Sequence, residues 1–121
     1  MGKVQVLIVE DEDIVSMDLR YQLEALCYSV AAEIGSGEKA VEAASQLRPD
    51  VLLMDIRLSG EMDGIAAAAQ IRDQFDIPVV SLTAYVDEAT LARAKATEPS
   101  GFLLKPFDDA KLRATIEMAI Q

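Results

Sequence analysis

Short apolar runs recur along the chain at intervals of roughly two dozen residues, and segments with helical periodicity lie between them. This alternation is typical of βα units, in which helices connect parallel strands. Residues 51–54 are apolar at every position, as expected for a strand that helices cover on both faces of a sheet. Residues 4–9, 78–82 and 101–104 are predicted as further strands, and the more polar residues 29–34 as a strand at a sheet edge.

The segments between the strands place apolar residues on one helical face. The first stripe consists of Val15, Leu19, Leu23 and Leu26, and the last of Leu112, Ile116 and Ile120, with Asp108 as the predicted N-cap. Five strands alternating with five helices predict an α/β fold, a three-layer doubly wound (βα)5 sandwich. Its parallel sheet has the flavodoxin-like order 2-1-3-4-5, with right-handed crossovers. The length of 121 residues fits a single domain over residues 1–121.

Charge and cysteine content exclude several classes of function. The net charge of −10, from 11 basic and 21 acidic residues, disfavours direct nucleic-acid binding, which needs basic patches. Cys27 is the single cysteine, so an intrachain disulfide cannot form and a reducing compartment is expected. Residues 3–9 are too short for a secretory signal, and no apolar run approaches a membrane span. A cytoplasmic protein without a membrane partner is predicted.

The end of the first predicted helix leaves two alternatives open. Cys27 falls where a helix often needs a residue in the left-handed conformation, usually glycine. A cysteine in that conformation costs about 1 kcal/mol. The alternative, slightly favoured by that cost, is a helix that ends in another way.

Charged and hydroxyl side chains follow the predicted strands. Because the carboxyl ends of parallel strands share one edge of the sheet, Glu10, Asp11, Asp55, Thr83 and Lys105 are expected to meet in one crevice. Clustered carboxylates repel each other and need cations or protons. An all-oxygen site selects a hard cation, and Mg²⁺ binds through a few carboxylates and then accepts a phosphate. The lysine adds a positive charge suited to a phosphoryl oxygen. The sequence predicts a phosphate-complementary Mg²⁺ site.

Each of these residues alone has a simpler explanation. Acidic residues after a strand often cap the next helix, which is the favoured reading of Glu12 and Asp13. A lysine before a proline is usually a surface residue, and Thr83 alone is an ordinary strand-end hydroxyl. Their joint occurrence at successive strand ends favours a functional site.

The chain resembles the receiver domains of two-component response regulators, of the chemotaxis-regulator type, from residue 3 to about residue 120. The resemblance rests on five motifs in family order and at close to family spacing: Val9-Glu10-Asp11-Glu12, Leu53-Met54-Asp55-Ile56, Asp63-Gly64, Leu82-Thr83-Ala84 and Leu104-Lys105-Pro106-Phe107. Each motif is weak alone, but the ordered set is specific. The whole chain is therefore expected to be one receiver domain.

The resemblance implies a role for each site residue. Asp55 would accept a phosphoryl group from a phosphohistidine of a sensor histidine kinase or a histidine phosphotransfer protein. Asp11, Asp55 and the backbone carbonyl of Arg57 would ligate Mg²⁺, with Glu10 acting through metal-bound water. Thr83 and Lys105 would contact the phosphoryl group.

The resemblance also implies how the signal leaves the site. The peptide before Pro106 would be cis, and Ala84, Tyr85 and Phe102 would belong to the switch and tuning positions. The surface of the last two βα units would signal to a downstream protein or an attached domain, and a phosphorylation-linked homodimer is one further form of output. Such a protein is a regulatory phosphoacceptor that assists its own phosphorylation, without being an enzyme for a small substrate.

Three positions depart from the common family pattern. The stretch of residues 58–64 is one residue longer than usual and lacks its usual proline. Phe102 replaces an aromatic that often carries a hydroxyl, and Arg57 and Tyr85 are bulky at positions that tune dephosphorylation in this family. These departures concern the rim of the site and leave the acceptor unchanged.

Alternatives from other classes fit the sequence less well. A Mg²⁺-dependent phosphatase with an aspartate nucleophile usually places it after the first strand and has cap segments, which this chain lacks. A flavodoxin-like electron carrier needs a hydroxyl- and glycine-rich phosphate loop where residues 10–13 are all acidic. No P-loop pattern is present. A receiver fold that only docks partners would not require Asp11, Asp55, Thr83 and Lys105 together.

Overall fold

The computed structural model describes residues 3–56, 64–83, 88–96, 100–105 and 107–121. The strands are β1 (Gln5–Val9), β2 (Ser29–Ile34), β3 (Val51–Asp55), β4 (Val79–Thr83) and β5 (Gly101–Leu104). The helices are α1 (Asp13–Ala25), α2 (Gly37–Leu47), α3 (Gly64–Phe75), α4 (Glu88–Ala96) and α5 (Asp109–Ala119). Strands and helices alternate strictly, which confirms the predicted (βα)5 architecture. No helix in these ranges is long and apolar enough to cross a membrane.

The five strands form one parallel sheet in the order β2-β1-β3-β4-β5, which confirms the flavodoxin-like prediction. The mixed strand β2 lies at an edge, as its polar composition predicted, and all residues of the central strands β3 and β4 are buried. Two strands extend one residue further than expected. Asp55 and Thr83 are the last residues of β3 and β4, so the regular backbone of the sheet itself fixes their positions.

Apolar side chains fill both faces of the sheet. Leu7, Leu52 and Met54 pack with alanines of α2 and α3 on one face. On the other face, the alternate strand residues pack against α1 and α5, in a cluster that contains Leu19, Leu23, Leu112 and Ile116. The two predicted helix stripes therefore cover the same face. Ile120, predicted as part of the last stripe, is the C-cap of α5 and is 37% exposed.

The helix N-termini are held in different ways. The Ser36 side chain accepts a hydrogen bond from the Lys39 N–H at α2, and the Asp108 side chain accepts one from the Lys111 N–H at α5. Both are ordinary N-caps, and the second confirms the prediction for Asp108. Within the described ranges, Glu12 at the N-cap of α1 makes no side-chain capping hydrogen bond. The prediction that the Glu12 side chain caps α1 is therefore wrong, and the first turn of α1 depends on other contacts.

Helix α1 ends in a left-handed residue, so the slightly favoured alternative for Cys27 is wrong. Cys27 has φ 69°. Its N–H donates to the Glu24 carbonyl at 3.0 Å, and the Tyr28 N–H donates to the Leu23 carbonyl at 3.0 Å. This is the Schellman arrangement, and the two hydrogen bonds satisfy carbonyls that the helix end would otherwise leave free. The hydrogen bonds and the burial of Tyr28 on Leu23 outweigh the strain of a β-carbon at positive φ.

Replacing Cys27 with glycine should therefore stabilise the domain. Glycine adopts positive φ without steric cost but gains freedom in the unfolded chain, so a net gain of about 0.5–1 kcal/mol in the free energy of unfolding is expected. Urea unfolding followed by far-UV circular dichroism measures it. Cys27→Ala is the matched control, because it removes the thiol and keeps the β-carbon. Equal stabilities of the glycine and alanine variants would contradict the strain at this position.

Candidate functional site

The carboxyl edge of the sheet gathers the side chains that were predicted to meet. Glu10 and Asp11 follow β1, and the Glu10 N–H is anchored on the Ile34 carbonyl of β2 at 2.9 Å. Asp55 ends β3, its neighbour in the sheet being Leu82. Thr83 ends β4, and its carbonyl accepts from the Lys105 N–H at 2.7 Å. Backbone pairing between neighbouring strands therefore brings all five residues to one edge.

Three carboxylates and one ammonium group form the centre of the crevice. Carboxylate oxygens of Glu10, Asp11 and Asp55 all lie within 4.8 Å of one another. Lys105 Nζ lies 3.0 Å from Glu10 Oε1 and 3.2 Å from Asp55 Oδ2, so one cation bridges two of the three acids. Glu10 is 4% exposed and Asp55 8% exposed. The cluster thus combines buried negative charge with incomplete neutralisation.

The ionisation of Glu10 and Lys105 reflects this crowding. Burial raises the pKa of Glu10 to about 7, and hydrogen bonding to Asp55 adds to the rise, against the opposing pull of Lys105. Burial alone would lower the pKa of Lys105, but its hydrogen bonds and attraction to Glu10 and Asp55 outweigh burial and leave that pKa above its usual value. Glu10 and Lys105 therefore hold their protons more tightly than isolated side chains do.

Thr83 carries a buried hydroxyl next to this cluster. The residue is 1% exposed, and its Oγ1 has no hydrogen-bond partner among the residues that the structure describes. A buried polar atom without a partner costs about 1–3 kcal/mol, so such atoms usually await a water, an ion or a ligand. The hydroxyl offers one donor to a group bound at the carboxyl edge of the sheet.

The donor set fits a hard divalent cation. Glu10, Asp11 and Asp55 supply only oxygen ligands, and the described residues around them include no histidine or cysteine. Mg²⁺ takes oxygen ligands, needs few protein carboxylates and retains water in its remaining positions. Asp11 is exposed to solvent, whereas Asp55 is buried, so the cluster can be reached by water from the side of Asp11.

A glycine permits the close approach of helix α3 to the acceptor strand. At Gly64, the first residue of α3, an added β-carbon would overlap the Asp55 carbonyl oxygen and lie 2.7 Å from the Cα of Ile56. Both are backbone atoms, which cannot move aside as a flexible side chain can. Any larger residue at this position must displace either the start of α3 or the backbone that carries Asp55.

Several predicted positions lie beside the site or outside the described residues. Phe102 on β5 is partly buried and packs on Ile56 and Ile65, next to the end of β3. The predicted metal-ligating carbonyl of Arg57, the switch and tuning positions Ala84, Tyr85 and Pro106, and most of the longer stretch of residues 58–64 lie outside the described residues.

Two polar residues near the site were missed by sequence reasoning. Ser16 is buried on α1 and donates to Glu33 Oε1 of β2 at 2.8 Å. The available signal was that Ser16 lies three positions before Leu19 and seven before Leu23, and so falls on the buried stripe of α1. A hydroxyl on a buried stripe needs a partner, but its identity depends on how α1 packs on β2.

Comparisons with known proteins agree with this geometry. The family model described as response regulator receiver domain matches residues 6–117. The transcriptional regulatory protein PdtaR of Mycobacterium tuberculosis is 37% identical over 116 residues, which are 96% of this chain and 56% of that protein. The regulator PhyR of Methylorubrum extorquens is 32% identical, over 96% of this chain and 43% of that protein. The chain spans about half the length of these relatives.

Two solved structures are similar to the chain in both fold and sequence. A signal receiver domain of a modulated diguanylate cyclase from Desulfovibrio desulfuricans G20 has a TM-score of 0.93 and 42% identity, covering 98% of this chain and 94% of that one. A receiver domain of a sensor histidine kinase from Pseudomonas aeruginosa PAO1 has a TM-score of 0.87 and 30% identity, covering 99% and 98%. That second protein is described with a magnesium ion coordinated in its active site cleft.

Proposed function

The chain belongs to the family of response regulator receiver domains, and we propose that it accepts a phosphoryl group on Asp55 from a phosphohistidine of a partner protein. In the transfer, a carboxylate oxygen of Asp55 forms a bond to phosphorus while the phosphorus–nitrogen bond of the donor breaks, and the imidazole leaves with the electron pair. The observation that carries the proposal is the contact of Lys105 with both Asp55 and Glu10 in a buried acidic crevice.

Each group at the crevice has a task in this transfer. Asp11 and Asp55 would hold Mg²⁺, with Glu10 beside them, and the bound cation would neutralise charge on the phosphoryl oxygens. Lys105, now 3.2 Å from Asp55, is close enough to pair with a phosphoryl oxygen on that residue. The Thr83 hydroxyl, which has no partner within the described ranges, would donate to another phosphoryl oxygen. In this proposal the chain positions the reacting groups and neutralises the charge on the phosphoryl oxygens.

The output would use the face formed by α4, β5 and α5. Leu104 on β5 and Met118 on α5 are large apolar side chains that are 57% and 74% exposed. Because Lys105 follows β5 directly, a new contact between Lys105 and a phosphoryl group would act on this strand. The partners would be a histidine kinase or histidine phosphotransfer protein on the input side and a protein or attached domain on the output side. We place the whole chain in one receiver domain in the cytoplasm.

Intact-mass measurement after incubation with acetyl phosphate and Mg²⁺ tests the proposal. The wild type should gain the mass of one phosphoryl group, and should gain nothing when EDTA removes Mg²⁺. Asp55→Asn, which has nearly the same shape but no nucleophilic carboxylate, should gain nothing in either buffer. The matched control Asp73→Asn changes an exposed carboxylate on α3 and should gain mass as the wild type does.

Two results would contradict the proposal. A full gain of mass in Asp55→Asn would place the acceptor elsewhere. No gain in the wild type, from either acetyl phosphate or a phosphorylated histidine phosphotransfer protein, would indicate a domain that docks partners without accepting phosphate.

A further inference from the structure

A continuous series of hydrogen bonds joins the edge strand β2 to the acidic crevice. Glu33 Oε1 accepts from Ser16 Oγ at 2.8 Å. The Ser16 N–H donates to the Glu12 carbonyl at 3.0 Å, and the Glu12 N–H donates to Glu10 Oε2 at 3.2 Å. The other oxygen of Glu10 accepts from Lys105, which also contacts the acceptor aspartate. Every link is a direct contact.

Glu33 holds α1 at two points, one helical turn apart. Its Oε1 binds the Ser16 hydroxyl, and its Oε2 binds Arg20 Nη1 at 2.8 Å. Ser16 is 5% exposed, whereas the side chains of Glu33 and Arg20 remain 29% and 48% exposed. The ion pair is therefore partly screened by solvent. The buried hydroxyl contact is the more specific of the two, because without it both polar groups must find water or stay unpaired.

Among the residues that the structure describes, the first turn of α1 lacks the side-chain capping hydrogen bond that α2 and α5 have, and so depends more on its contact with Glu33. Its N-cap residue, Glu12, makes no side-chain capping bond in the described part of the chain, unlike Ser36 of α2 and Asp108 of α5. The backbone N–H of Glu12 donates to the Glu10 side chain. The position of the Glu12 backbone therefore sets the direction of the Glu10 carboxylate. Whatever fixes the first turn of α1 also fixes that carboxylate.

We infer that Ser16 and Glu33 are positioning residues for the acidic crevice, acting through the backbone of Glu12 on the Glu10 carboxylate. Neither side chain touches the cation or the phosphoryl group in this role. They hold α1 against β2 so that Glu10 and Asp11, on the connection between β1 and α1, keep their separation from Asp55. The role rests on the proposed function, since it concerns the same Mg²⁺ site.

Mg²⁺ titration calorimetry of variants tests this role without relying on phosphorylation. Ser16→Ala changes no charge and should weaken Mg²⁺ binding about three- to tenfold. This effect is somewhat smaller than the one expected when a direct hydrogen-bond partner of a metal ligand is removed. Glu33→Ala should weaken it similarly. Because both substitutions remove the same hydrogen bond, the double variant should lose no more Mg²⁺ affinity than the weaker-binding single variant.

A conservative substitution separates the hydrogen bond from the charge. Glu33→Gln keeps an acceptor for the Ser16 hydroxyl but removes one charge. Its control is Glu24→Gln, which removes one charge from the same side of α1 without touching Ser16. The Mg²⁺ affinities of these two variants should agree within about twofold. Ser45→Ala, on the exposed face of α2, is the matched control for serine removal and should bind as the wild type does.

Urea unfolding in EDTA supplies the readout that distinguishes positioning from stability. A merely structural role of Ser16 would lower the free energy of unfolding and leave the Mg²⁺ affinity of the folded protein unchanged. That outcome, with normal binding in the wild type, would overturn the positioning role alone. A wild type that binds no Mg²⁺ would overturn the proposed function and the positioning role with it. Weaker binding in Ser16→Ala and Glu33→Ala, but not in Ser45→Ala, supports both.

Discussion

Gly64→Ala is expected to lower the free energy of unfolding by about 3 kcal/mol, at the upper end of the usual cost of overpacking a core. The added β-carbon would overlap the Asp55 carbonyl oxygen and lie 2.7 Å from the Cα of Ile56 and 2.8 Å from the carbonyl carbon of Asp55. These atoms belong to the last residue of the fully buried strand β3 and to the residue that follows it. Either α3 moves away, losing the packing of Ile65, Ala67, Ala68 and Ile71, or the end of β3 bends.

Two other glycines provide matched controls for this substitution. An added β-carbon at Gly35 meets nothing within 4 Å, so Gly35→Ala should cause no loss of stability and should raise it by up to about 1 kcal/mol. At Gly101 it would lie 2.9 Å from Thr115 Cγ2 and 3.3 Å from Val80 Cγ2, which are side-chain atoms and can yield. Urea unfolding should rank the losses as Gly64→Ala, then Gly101→Ala, then Gly35→Ala. Equal losses at Gly64 and Gly35 would contradict the close approach of α3 to β3.

The same substitution reaches the site. Because one of the two backbones in contact carries Asp55, Gly64→Ala should weaken Mg²⁺ binding as well as stability, whereas Gly101→Ala should affect stability alone. Calorimetry on the folded variants measures the difference. Gly64→Ala is expected to lower both stability and Mg²⁺ affinity because Gly64 lies against the backbone of Asp55.

The fold was predictable because burial on two faces leaves a simple pattern. A strand that helices cover on both faces must be apolar along its length, as β3 is over residues 51–54 ahead of Asp55, and the edge strand Ser29–Ile34 need not be. That contrast indicates that β2 lies at one edge of the sheet, but it does not identify β5, which is apolar and lies at the other edge. The convergence of Glu10, Asp55 and Lys105 was predictable for a related reason, since parallel strands end at the same edge whatever their loops do.

Contacts that depend on the packing of one element on another were not predictable. Ser16 and Glu33 are 17 positions apart, and only the angle of α1 on β2 brings them to 2.8 Å. The close approach of Gly64 to the Asp55 carbonyl likewise depends on where α3 begins relative to β3. Periodicity identifies the buried face of a helix, but it does not specify which residue of a neighbouring strand that face meets.

The backbone at Cys27 shows why a local rule can mislead. The cost of positive φ for a residue with a β-carbon argued slightly for a different helix end. Two hydrogen bonds and the burial of Tyr28 outweigh that cost, and Arg48 and Asp76 have positive φ directly after α2 and α3. In this chain, the requirement to satisfy helix carbonyls takes precedence over the preference for glycine.

Lys105→Met is expected to lower the free energy of unfolding by about 2–3 kcal/mol at pH 8 in EDTA, somewhat less than the usual cost of removing one partner from a fully buried ion pair. The ammonium group contacts Glu10 at 3.0 Å and Asp55 at 3.2 Å, and its side chain is 21% exposed. Methionine fills similar volume but leaves Glu10 and Asp55 without the cation that bridges them. The loss should therefore come from repulsion, with little loss of packing.

The sign of the pH dependence follows from Glu10. Its pKa is about 7 in the folded protein, above the ordinary value of 4.5, so the folded state binds more protons than the unfolded state between those values. Stability therefore falls as pH rises through that window. Without Lys105 the pKa of Glu10 should rise further, so the fall should continue above pH 7, and the deficit of Lys105→Met should be small near pH 5 and largest near pH 8.

Urea unfolding at both pH values, with and without Mg²⁺, measures this dependence. Lys111→Met removes an equal charge from the exposed surface of α5 and should cost less than about 0.5 kcal/mol at either pH. Millimolar Mg²⁺ should recover part of the deficit of Lys105→Met at pH 8, because a bound cation takes over the neutralisation of Glu10 and Asp55. An equal deficit at both pH values would assign the loss to packing. A deficit that grows with pH and shrinks with Mg²⁺ identifies Lys105 as the internal counter-ion of the acidic crevice.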